Sequence, residues 1–453
     1  MCYYAIIEYN KCLGGRKMKD SYQYDLVSRL NFIRYGGTAE ELRAANIIKE
    51  DIESFGGKAE IMNFKIPAYT AKKCSLKVVA PFEMEIETIE YGLSGSLPEG
   101  GVDLKLRYLE KGTADNFYGI DDLSDSIVML NELSFGAYKL MCEKKAAAFM
   151  VIDGKWFHNS ENSDFFQRNI GEKMLENGKV PGFFIWAKDA TKLVLDHAEV
   201  IHAEMIQEEY EADSRDVVAV IEGTEKTDEA IVITAHYDSI QFGTGCWDNA
   251  TGSANIMYIY RHFLKNPPKR TLYFVWCGSE EQGLYGSKAF VAQHPDLVEK
   301  NIKFCFNFDM CGTILGNNMI FATGNDDLKN FAEAFCREYG MVADIIHDVH
   351  SSDSIPFADK NIPGLGLSRG TKSADIHTRN DSIFPISAEQ LNKDGDFAIA
   401  FITRVANSAR MPVPTGMGDS MREKIDKYCQ RDRKTLKDEA EEKAKAEAEK
   451  EKK

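Results

Sequence analysis

Two apolar runs near the middle of the chain end in chargeable residues, and this arrangement restricts the fold more than any other feature. The first run, Ile231–Ala235, leads into His236-Tyr237-Asp238. The second run, Thr271–Cys277, leads into Glu280-Glu281. Short uninterrupted apolar runs are typical of strands that are buried on both faces of a sheet. The pattern predicts an α/β sheet with imidazole and carboxylate groups at its strand ends, where such sheets bind ligands.

Three further segments add groups of the same kind. Asp248 lies between the two runs, Asp309 follows the strand-like run Ile302–Phe308, and His377 follows the apolar Pro363–Leu367. A neutral imidazole with several carboxylates is the ligand set of a catalytic zinc site. Two metal ions that share one carboxylate need about two further protein ligands each. The chain supplies this number with His236, Asp248, Glu281, Asp309 and His377, which leaves Glu280 unassigned.

Five separated motifs occur along the chain in one order, and together they resemble a known family. They are His-x-Asp, Asp-Asn-Ala-Thr-Gly, Glu-Glu-x-Gly-Leu-x-Gly-Ser, Asn-x-Asp-Met and His-Thr-x-x-Asp, beginning at His236, Asp248, Glu280, Asn307 and His377. This series resembles the M28 family of di-zinc aminopeptidases. Each motif alone is common on protein surfaces, whereas the ordered set at successive strand ends is not.

The resemblance implies a metal-binding role for five residues. Asp248 would bridge two Zn²⁺ ions, since each of its carboxylate oxygens can face one of them. His236 and Asp309 would complete the first zinc site, and Glu281 and His377 the second. Oxygen and imidazole ligands also admit other divalent metals.

The resemblance also implies roles for residues that do not bind metal. Glu280 resembles the general base that takes a proton from the metal-bridging water and returns it to the leaving amine. Asp238 and Asp381 closely follow the two ligand histidines and are predicted to orient the imidazoles, Asp238 as part of the catalytic group. Arg379 lies beside the last ligand, where an arginine can hold a substrate carboxylate, although a solvated side chain is the ordinary interpretation.

The expected function is therefore a metal-dependent exopeptidase, an aminopeptidase that acts on peptides with a free N-terminus. One alternative is a carboxypeptidase or another amide hydrolase on the same fold, including a one-metal glutaminyl cyclase. A second alternative is a non-enzymatic, receptor-like homologue. All five ligands and the general base are present, which favours a two-metal enzyme.

The predicted domain organisation is discontinuous. Residues 18–67 and 210–410 are expected to form the catalytic domain, with a mixed, largely parallel sheet and helices on both faces, the zinc exopeptidase fold. Residues 68–209 alternate short β-like runs with turns and one helix, and resemble a protease-associated domain. This inserted β-rich α+β domain is predicted to wall one side of the cleft. Residues 411–453 are predicted to be a linker and a charged, solvated tail.

Local patterns refine the N-terminal part of the catalytic domain. Tyr24–Phe55 predicts two helices, the second capped by Thr38 and ended by Gly56-Gly57. Lys58–Pro67 predicts an edge strand.

Composition limits partners and location. The net charge of −16 argues against nucleic acid and anionic membranes as partners. No apolar stretch has the length needed to span a bilayer, and Met1–Glu8 lacks the basic start of a signal peptide. The 10 cysteines are scattered without a C-x-x-C pair, which favours a reducing compartment. We therefore expect a cytoplasmic protein, with secretion as the alternative; no sequence feature indicates an oligomeric state.

Overall fold

A computed structural model describes residues 21–225 and 227–431. Its helices are α1 Tyr22–Arg29, α2 Ala39–Ser54, α3 Phe135–Glu143, α4 Glu172–Leu175, α5 Ala187–Leu195, α6 Thr251–Lys265, α7 Tyr285–Gln293, α8 Pro295–Lys300, α9 Asp326–Tyr339, α10 Ile355–Asp359, α11 Ala388–Asn407 and α12 Asp419–Tyr428. Its strands are β1 Ala59–Ala80, β2 Met84–Ile86, β3 Thr88–Glu90, β4 Val102–Tyr108, β5 Ser126–Leu130, β6 Ala148–Asp153, β7 Gly182–Trp186, β8 Val200–Ile221, β9 Ala230–His236, β10 Thr271–Cys277, β11 Ile302–Phe308, β12 Asn317–Thr323, β13 Asp344–Ile346 and β14 Gly364–Gly370. The predicted absence of a signal peptide concerns residues outside the described ranges.

The catalytic part of the chain contains a mixed sheet in the order β13-β12-β14-β11-β9-β10-β8, with β1 on the outer side of β8. The central neighbours β14, β11, β9 and β10 are parallel, whereas β12 runs antiparallel to β14 and β8 runs antiparallel to β10. The outer strand β13 is parallel to β12. This confirms the predicted mixed, largely parallel sheet. The carboxyl ends of β9, β10 and β11 therefore meet at one edge of the sheet.

Both faces of this sheet are covered, which explains the uninterrupted apolar runs. In β9, Ile231 and Ile233 pack into a large core with helices α1, α2, α6, α9 and α11. The intervening Val232 faces the opposite side and packs with residues of α7, α8 and α10. Because successive side chains of a strand point to opposite faces, a strand that is buried on both sides needs apolar residues at every position.

The insert is joined to the catalytic part by a long antiparallel ribbon of β1 and β8. The ribbon pairs Ala59 with Ala219 at one end and Ala80 with Val200 at the other. One end of β8 joins β10 of the catalytic sheet, and its other end joins β4 of the insert. The predicted edge strand was therefore correct in place but too short: it continues through Pro67, since β1 is an edge strand and a proline there costs no ladder hydrogen bond.

The strands of the insert continue the same sheet beyond β8, and the insert has cores of its own. Strands β4, β5, β6 and β7 are parallel, and β3 pairs antiparallel with β7. In β5, Ile127 and Met129 pack on one face while Val128 and Leu130 pack on the other. These cores are separate from the core of the catalytic part. The division of the chain into domains and the resemblance of the insert to a protease-associated domain stay predictions.

The N-terminal helices follow the prediction. Thr38 accepts a hydrogen bond from the backbone N–H of Glu41 at 3.2 Å and so caps α2. Gly56, with φ +85°, occupies the left-handed position that ends this helix, where glycine is favoured.

The start of the C-terminal tail differs from the prediction. Helix α12 is not solvated on all sides, because Met421 and Ile425 on it are buried. They pack against Met417, which precedes the helix, and against Ala358 of α10. Arg422 reinforces this contact with an ion pair to Asp359 at 3.0 Å. The prediction followed the charge-rich composition and overlooked Met421 and Ile425. These two apolar residues are four positions apart and therefore lie on one face of a helix. Residues 432–453 of the tail lie outside the described ranges.

Two findings bear on location. Within residues 21–225 and 227–431, no helix combines the length and apolar character that a membrane span requires. The eight cysteines in these ranges are free thiols. The cytoplasmic location stays a prediction.

Candidate active site

The predicted metal ligands converge at the carboxyl edge of the parallel strands. His236 is the last residue of β9, Glu281 lies in the turn that follows β10, and Asp309 directly follows β11. Asp248 lies in the turn that leads into α6, and His377 lies in the connection between β14 and α11. The sheet topology therefore brings together groups that are up to 141 positions apart in the chain, from His236 to His377.

Asp248 lies between the two histidines. Its Oδ1 is 3.2 Å from Nε2 of His236, and its Oδ2 is 3.1 Å from Nε2 of His377. The Asp248 side chain is only 6% exposed, so each oxygen faces one imidazole in a desolvated setting. This is the arrangement that a carboxylate needs to bridge two cations.

The two remaining carboxylates lie on opposite sides of Asp248. Asp309 Oδ1 is 3.6 Å from Nε2 of His236. Glu281 Oε2 is 2.9 Å from Nε2 of His377. The structure thus places Asp309 beside His236 and Glu281 beside His377; their pairing as metal ligands stays a prediction.

Several buried atoms of this cluster lack a partner. Oδ1 of Asp309 and Oε1 of Glu281 accept no hydrogen bond within the described chain although both are buried. Ligand atoms within 4.8 Å of one another form two overlapping groups, His236 with Glu280 and Asp309, and His236 with Asp248 and Glu281. Buried oxygen and imidazole donors without partners fit divalent metal ions, and zinc in particular.

The electrostatics of the cluster reflect its crowding. Burial acts to raise the pKa of Asp248, but the His236 and His377 imidazoles hold it well below its usual range. Burial and the neighbouring Asp248 raise the pKa of Glu281 to about 7. Burial acts to lower the pKa of His377, but Glu281 and Asp248 outweigh it and raise the value to about 11. Without cations, the site therefore holds protons that divalent metals would displace.

Glu280 points to a different part of the cluster from its neighbour Glu281. Its Oε2 lies 4.0 Å from Nε2 of His236, beyond hydrogen-bond distance. Its side chain is 11% exposed, more than the Glu281 side chain at 4%. Burial raises the pKa of Glu280 well above its usual range, although His236 opposes the shift. A nearly buried carboxylate beside His236 with a raised pKa has the properties of a proton carrier.

Asp238 connects His236 to the glutamates. Its Oδ1 is 3.4 Å from Nδ1 of His236, the contact that the sequence predicted. The same carboxylate accepts the backbone N–H of Glu280 at 3.0 Å and that of Glu281 at 3.2 Å. Asp238 is fully buried and fixes the backbone of both glutamates, while its contact with Nδ1 of His236 does not have hydrogen-bond geometry.

Asp381 has a different role from the predicted one. Its Oδ1 accepts the backbone N–H of Trp247 at 2.8 Å, and its Oδ2 accepts that of Asp248 at 3.0 Å. The prediction that it orients an imidazole was wrong in its target, because both oxygens are engaged by the turn that carries Asp248. Asp381 supports the predicted bridge instead of a histidine.

Ser352 was missed by the sequence analysis. Its hydroxyl donates to Oδ2 of Asp309 at 2.6 Å and accepts from Nδ2 of Asn307 at 2.7 Å. Thr234 in turn donates to Oδ1 of Asn307 at 2.7 Å. This buried chain fixes one oxygen of Asp309 and leaves the other directed at His236. Asn307 belongs to one of the five motifs, whereas Ser352 lies outside them.

Arg34 was also missed as part of the site. Its fully buried guanidinium donates to the carbonyl groups of Tyr237 at 2.6 Å, of Gly245 at 3.0 Å and of Thr244. These carbonyls belong to the loops before Asp248, so Arg34 ties the first helical segment to the metal-binding turns.

The insert reaches the site through one segment. The ring of Phe166 stacks on the ring of His377, with a centroid distance of 4.4 Å. A pocket beside the site is lined by residues of both parts, namely Tyr35, Gln167, Arg168, Asn169, Ile240, Gln241, Phe242, Glu281 and His377. Arg379 forms an ion pair with Asp164 of the insert while about half of its side chain stays exposed, so its guanidinium is engaged by the insert.

Comparison with known proteins finds similarity over the part of the chain that carries these residues. Residues 216–402 match the model of peptidase family M28. Aminopeptidase YwaD of Bacillus subtilis is 23% identical over 413 residues, which span 87% of this chain and 86% of that protein. All five of the predicted site motifs lie inside the matched range.

Solved structures share the fold. An aminopeptidase from Aneurinibacillus sp. strain AM-1 superposes with a TM-score of 0.69 at 22% identity, covering 88% of this chain and 97% of the other. BSAP, a zinc aminopeptidase from Bacillus subtilis, superposes with a TM-score of 0.69 at 21% identity, covering 87% and 97%. Coverage this high requires that most of the insert also superposes.

Proposed function

We propose that this chain, whose residues 216–402 match the model of peptidase family M28, is a zinc aminopeptidase that holds two metal ions and releases N-terminal residues from peptides. The observation that carries the proposal is the position of Asp248, whose two oxygens face the two histidines at 3.2 and 3.1 Å. One shared carboxylate with two further ligands on each side is the arrangement of a two-metal hydrolytic site.

The ligand sets follow from the distances. His236, Asp309 and one oxygen of Asp248 would hold one ion, and His377, Glu281 and the other oxygen would hold the second. Bound zinc supplies Lewis acidity, which polarises a carbonyl group and makes water a nucleophile at neutral pH. BSAP, which shares this fold, is a zinc aminopeptidase, and the nitrogen and oxygen donors of the present site suit the same metal.

Glu280 would carry the proton. As the more exposed of the two glutamates, it faces the cleft while its backbone N–H is held by Asp238. It would take a proton from the attacking water and give it to the leaving amine. Its raised pKa suits both steps, because a carboxylate with a pKa nearer neutrality accepts and returns a proton more readily.

The free amine of a peptide would bind on the Glu281 side. Glu281 directs Oε2 at His377 and leaves Oε1 buried without a partner, next to the pocket that the insert helps to line. No hydrogen-bond donor of the described residues reaches this oxygen. A protonated amine would supply both a donor and a compensating positive charge. The insert closes that side of the cleft, so short peptides should be cleaved faster than folded proteins.

Three related peptides test the proposal. A free tripeptide, its N-acetylated form and its C-terminal amide are compared with the wild-type protein and with Glu280→Gln as a control for contaminating peptidases. Acetylation should reduce kcat/KM by about two orders of magnitude or more, because the buried acceptor loses its partner. Amidation should have little effect. Cleavage of the acetylated peptide with dependence on a free carboxylate would identify a carboxypeptidase instead.

A further inference from the structure

The loop that carries His377 has little regular structure of its own. Between the end of β14 at Gly370 and the start of α11 at Ala388 the described chain forms no helix and no strand. His377 itself has φ +59°, in the left-handed region that non-glycine residues seldom adopt. Such a conformation persists only where surrounding contacts hold it. We call residues 371–381 the His377 loop.

The insert supplies one such contact through Asp164. Its carboxylate accepts the backbone N–H of Arg379 at 2.7 Å and the Nε–H of the same residue at 2.8 Å. The Asp164 side chain is only 8% exposed, whereas that of Arg379 is 51% exposed. Because one partner is nearly buried and two donors come from one residue, this pair is more restricted than an ordinary surface ion pair.

Phe166 supplies the second contact. Its ring lies over the imidazole of His377 with an angle of 28° between the planes, so it covers one face of the ligand. The guanidinium of Arg168 in turn lies 4.4 Å from the centre of the Phe166 ring. The face of the imidazole is thus closed while its Nε2 stays directed at Asp248 and Glu281.

The insert segment, residues 164–168, is anchored in its own domain. Phe165 stacks on Trp186 of β7 at 3.8 Å, and the backbone N–H of Phe166 donates to Asp153 at the end of β6 at 2.5 Å. The segment therefore presents Asp164 and Phe166 from a packed core and not from a free loop.

We propose that Asp164 and Phe166 are positioning residues that hold the His377 loop in its metal-binding conformation, so that the insert sets the affinity of the zinc site on the His377 side. The proposal rests on the proposed two-metal function. It assigns the insert a part in metal retention, in addition to walling the cleft.

Zinc affinity measured by chelator competition on the full-length protein tests this proposal. Asp164→Asn and Phe166→Ala should each reduce the affinity for one of the two zinc ions by about tenfold or more. This is the loss expected when a group that supports a metal ligand is removed. The other ion should bind as in the wild type. Asp125→Asn is the matched control, since Asp125 forms a surface ion pair with Lys105 within the insert.

Thermal unfolding of the metal-free variants separates positioning from general damage. A positioning role predicts unfolding temperatures close to that of the metal-free wild type. If both zinc ions weaken together and the metal-free variants unfold earlier, the insert segment is merely structural and the proposal fails.

A double-mutant cycle with Arg379→Gln sharpens the test. If Asp164 acts through Arg379, the double variant should lose no more zinc affinity than the weaker-binding single variant, since Arg379→Gln removes only the side-chain part of the contact that Asp164→Asn already weakens. If the losses of zinc affinity in the two single variants add in the double variant, Asp164 does not act through Arg379.

The proposed function can be judged apart from this inference. If the wild type binds two zinc ions and cleaves the free tripeptide while both insert variants bind zinc as it does, only the inference fails. If the wild type binds no zinc, both fail.

Discussion

The carboxylate of Asp381 accepts the backbone N–H of Asp248 at 3.0 Å, so one acidic residue holds the main chain of another. The second oxygen of Asp381 accepts the adjacent N–H of Trp247. Asp248 must direct its own two oxygens at two histidines. The two hydrogen bonds from Asp381 fix the backbone at Asp248 and thereby the orientation of its side chain.

Asp381→Asn should therefore weaken metal binding without removing a ligand. The asparagine amide presents one acceptor and one donor group, so one of the two backbone N–H groups loses its partner. Groups that support a metal ligand typically contribute about 10- to 100-fold in affinity. Chelator competition on zinc-loaded protein measures the change, and wild-type affinity in this variant would contradict the role given to Asp381.

Asp248→Ala should remove nearly all bound metal, because both zinc sites share this carboxylate. Elemental analysis of dialysed protein measures the metal content per chain. Two ions in the wild type and almost none in the variant are expected, with circular dichroism as the check on folding. At most one ion in the saturated wild type would contradict the two-metal site.

Glu280→Gln should keep both zinc ions and lose most of the turnover. Replacing a general base typically reduces kcat by about a hundred- to ten-thousandfold. Glu281→Gln is the matched neighbour: since Glu281 faces His377 at 2.9 Å, this variant should lose metal instead. Steady-state kinetics and metal analysis of the two variants give opposite patterns if the assignment is right. Near wild-type turnover in Glu280→Gln would mean that another group activates the water.

Ile425→Ala should loosen the C-terminal helix. Ile425 is fully buried in the cluster with Met417, Met421 and Ala358, and truncation of a buried isoleucine costs about 2–5 kcal/mol. Hydrogen exchange of the α12 amides should rise in this variant and stay unchanged in Lys427→Ala, whose side chain is exposed on the same helix. Equal exchange in the wild type and Ile425→Ala would support a solvated tail.

Glu41 should make stability depend on pH. Its buried carboxylate accepts Ser214 Oγ–H at 2.5 Å and the N–H of Gly37 at 2.9 Å, and burial raises its pKa to about 7. A pKa raised by folding contributes stability that is present at low pH and is lost as the pH rises through about 7. Relative to Glu41→Gln, the metal-free wild type should lose up to about 3 kcal/mol between pH ~5 and pH ~8. Calorimetric melting of both proteins measures this difference, and parallel pH profiles would contradict it.

The sequence alone determined the catalytic sheet and most of the site. The strands of this sheet are short apolar runs, and their polar ends mark the carboxyl edge of a parallel sheet. His236 and Glu281 could therefore be identified from local order, since each directly follows a strand or its turn. The helix cap at Thr38 was equally local.

Tertiary structure decided the contacts that no local pattern encodes. Asp381 follows His377 by four residues, yet its hydrogen bonds go to Trp247 and Asp248, because a loop without regular structure has no fixed periodicity. Ser352 and Phe166 reach the ligands from distant segments, and their residue types are common everywhere in the chain. The burial of Ile425 depends on a complementary surface on α10 that its charge-rich neighbourhood does not reveal. The positions of the strands along the chain follow from short-range hydrophobic pattern, whereas these contacts depend on how separate elements pack, and packing is set by the whole fold.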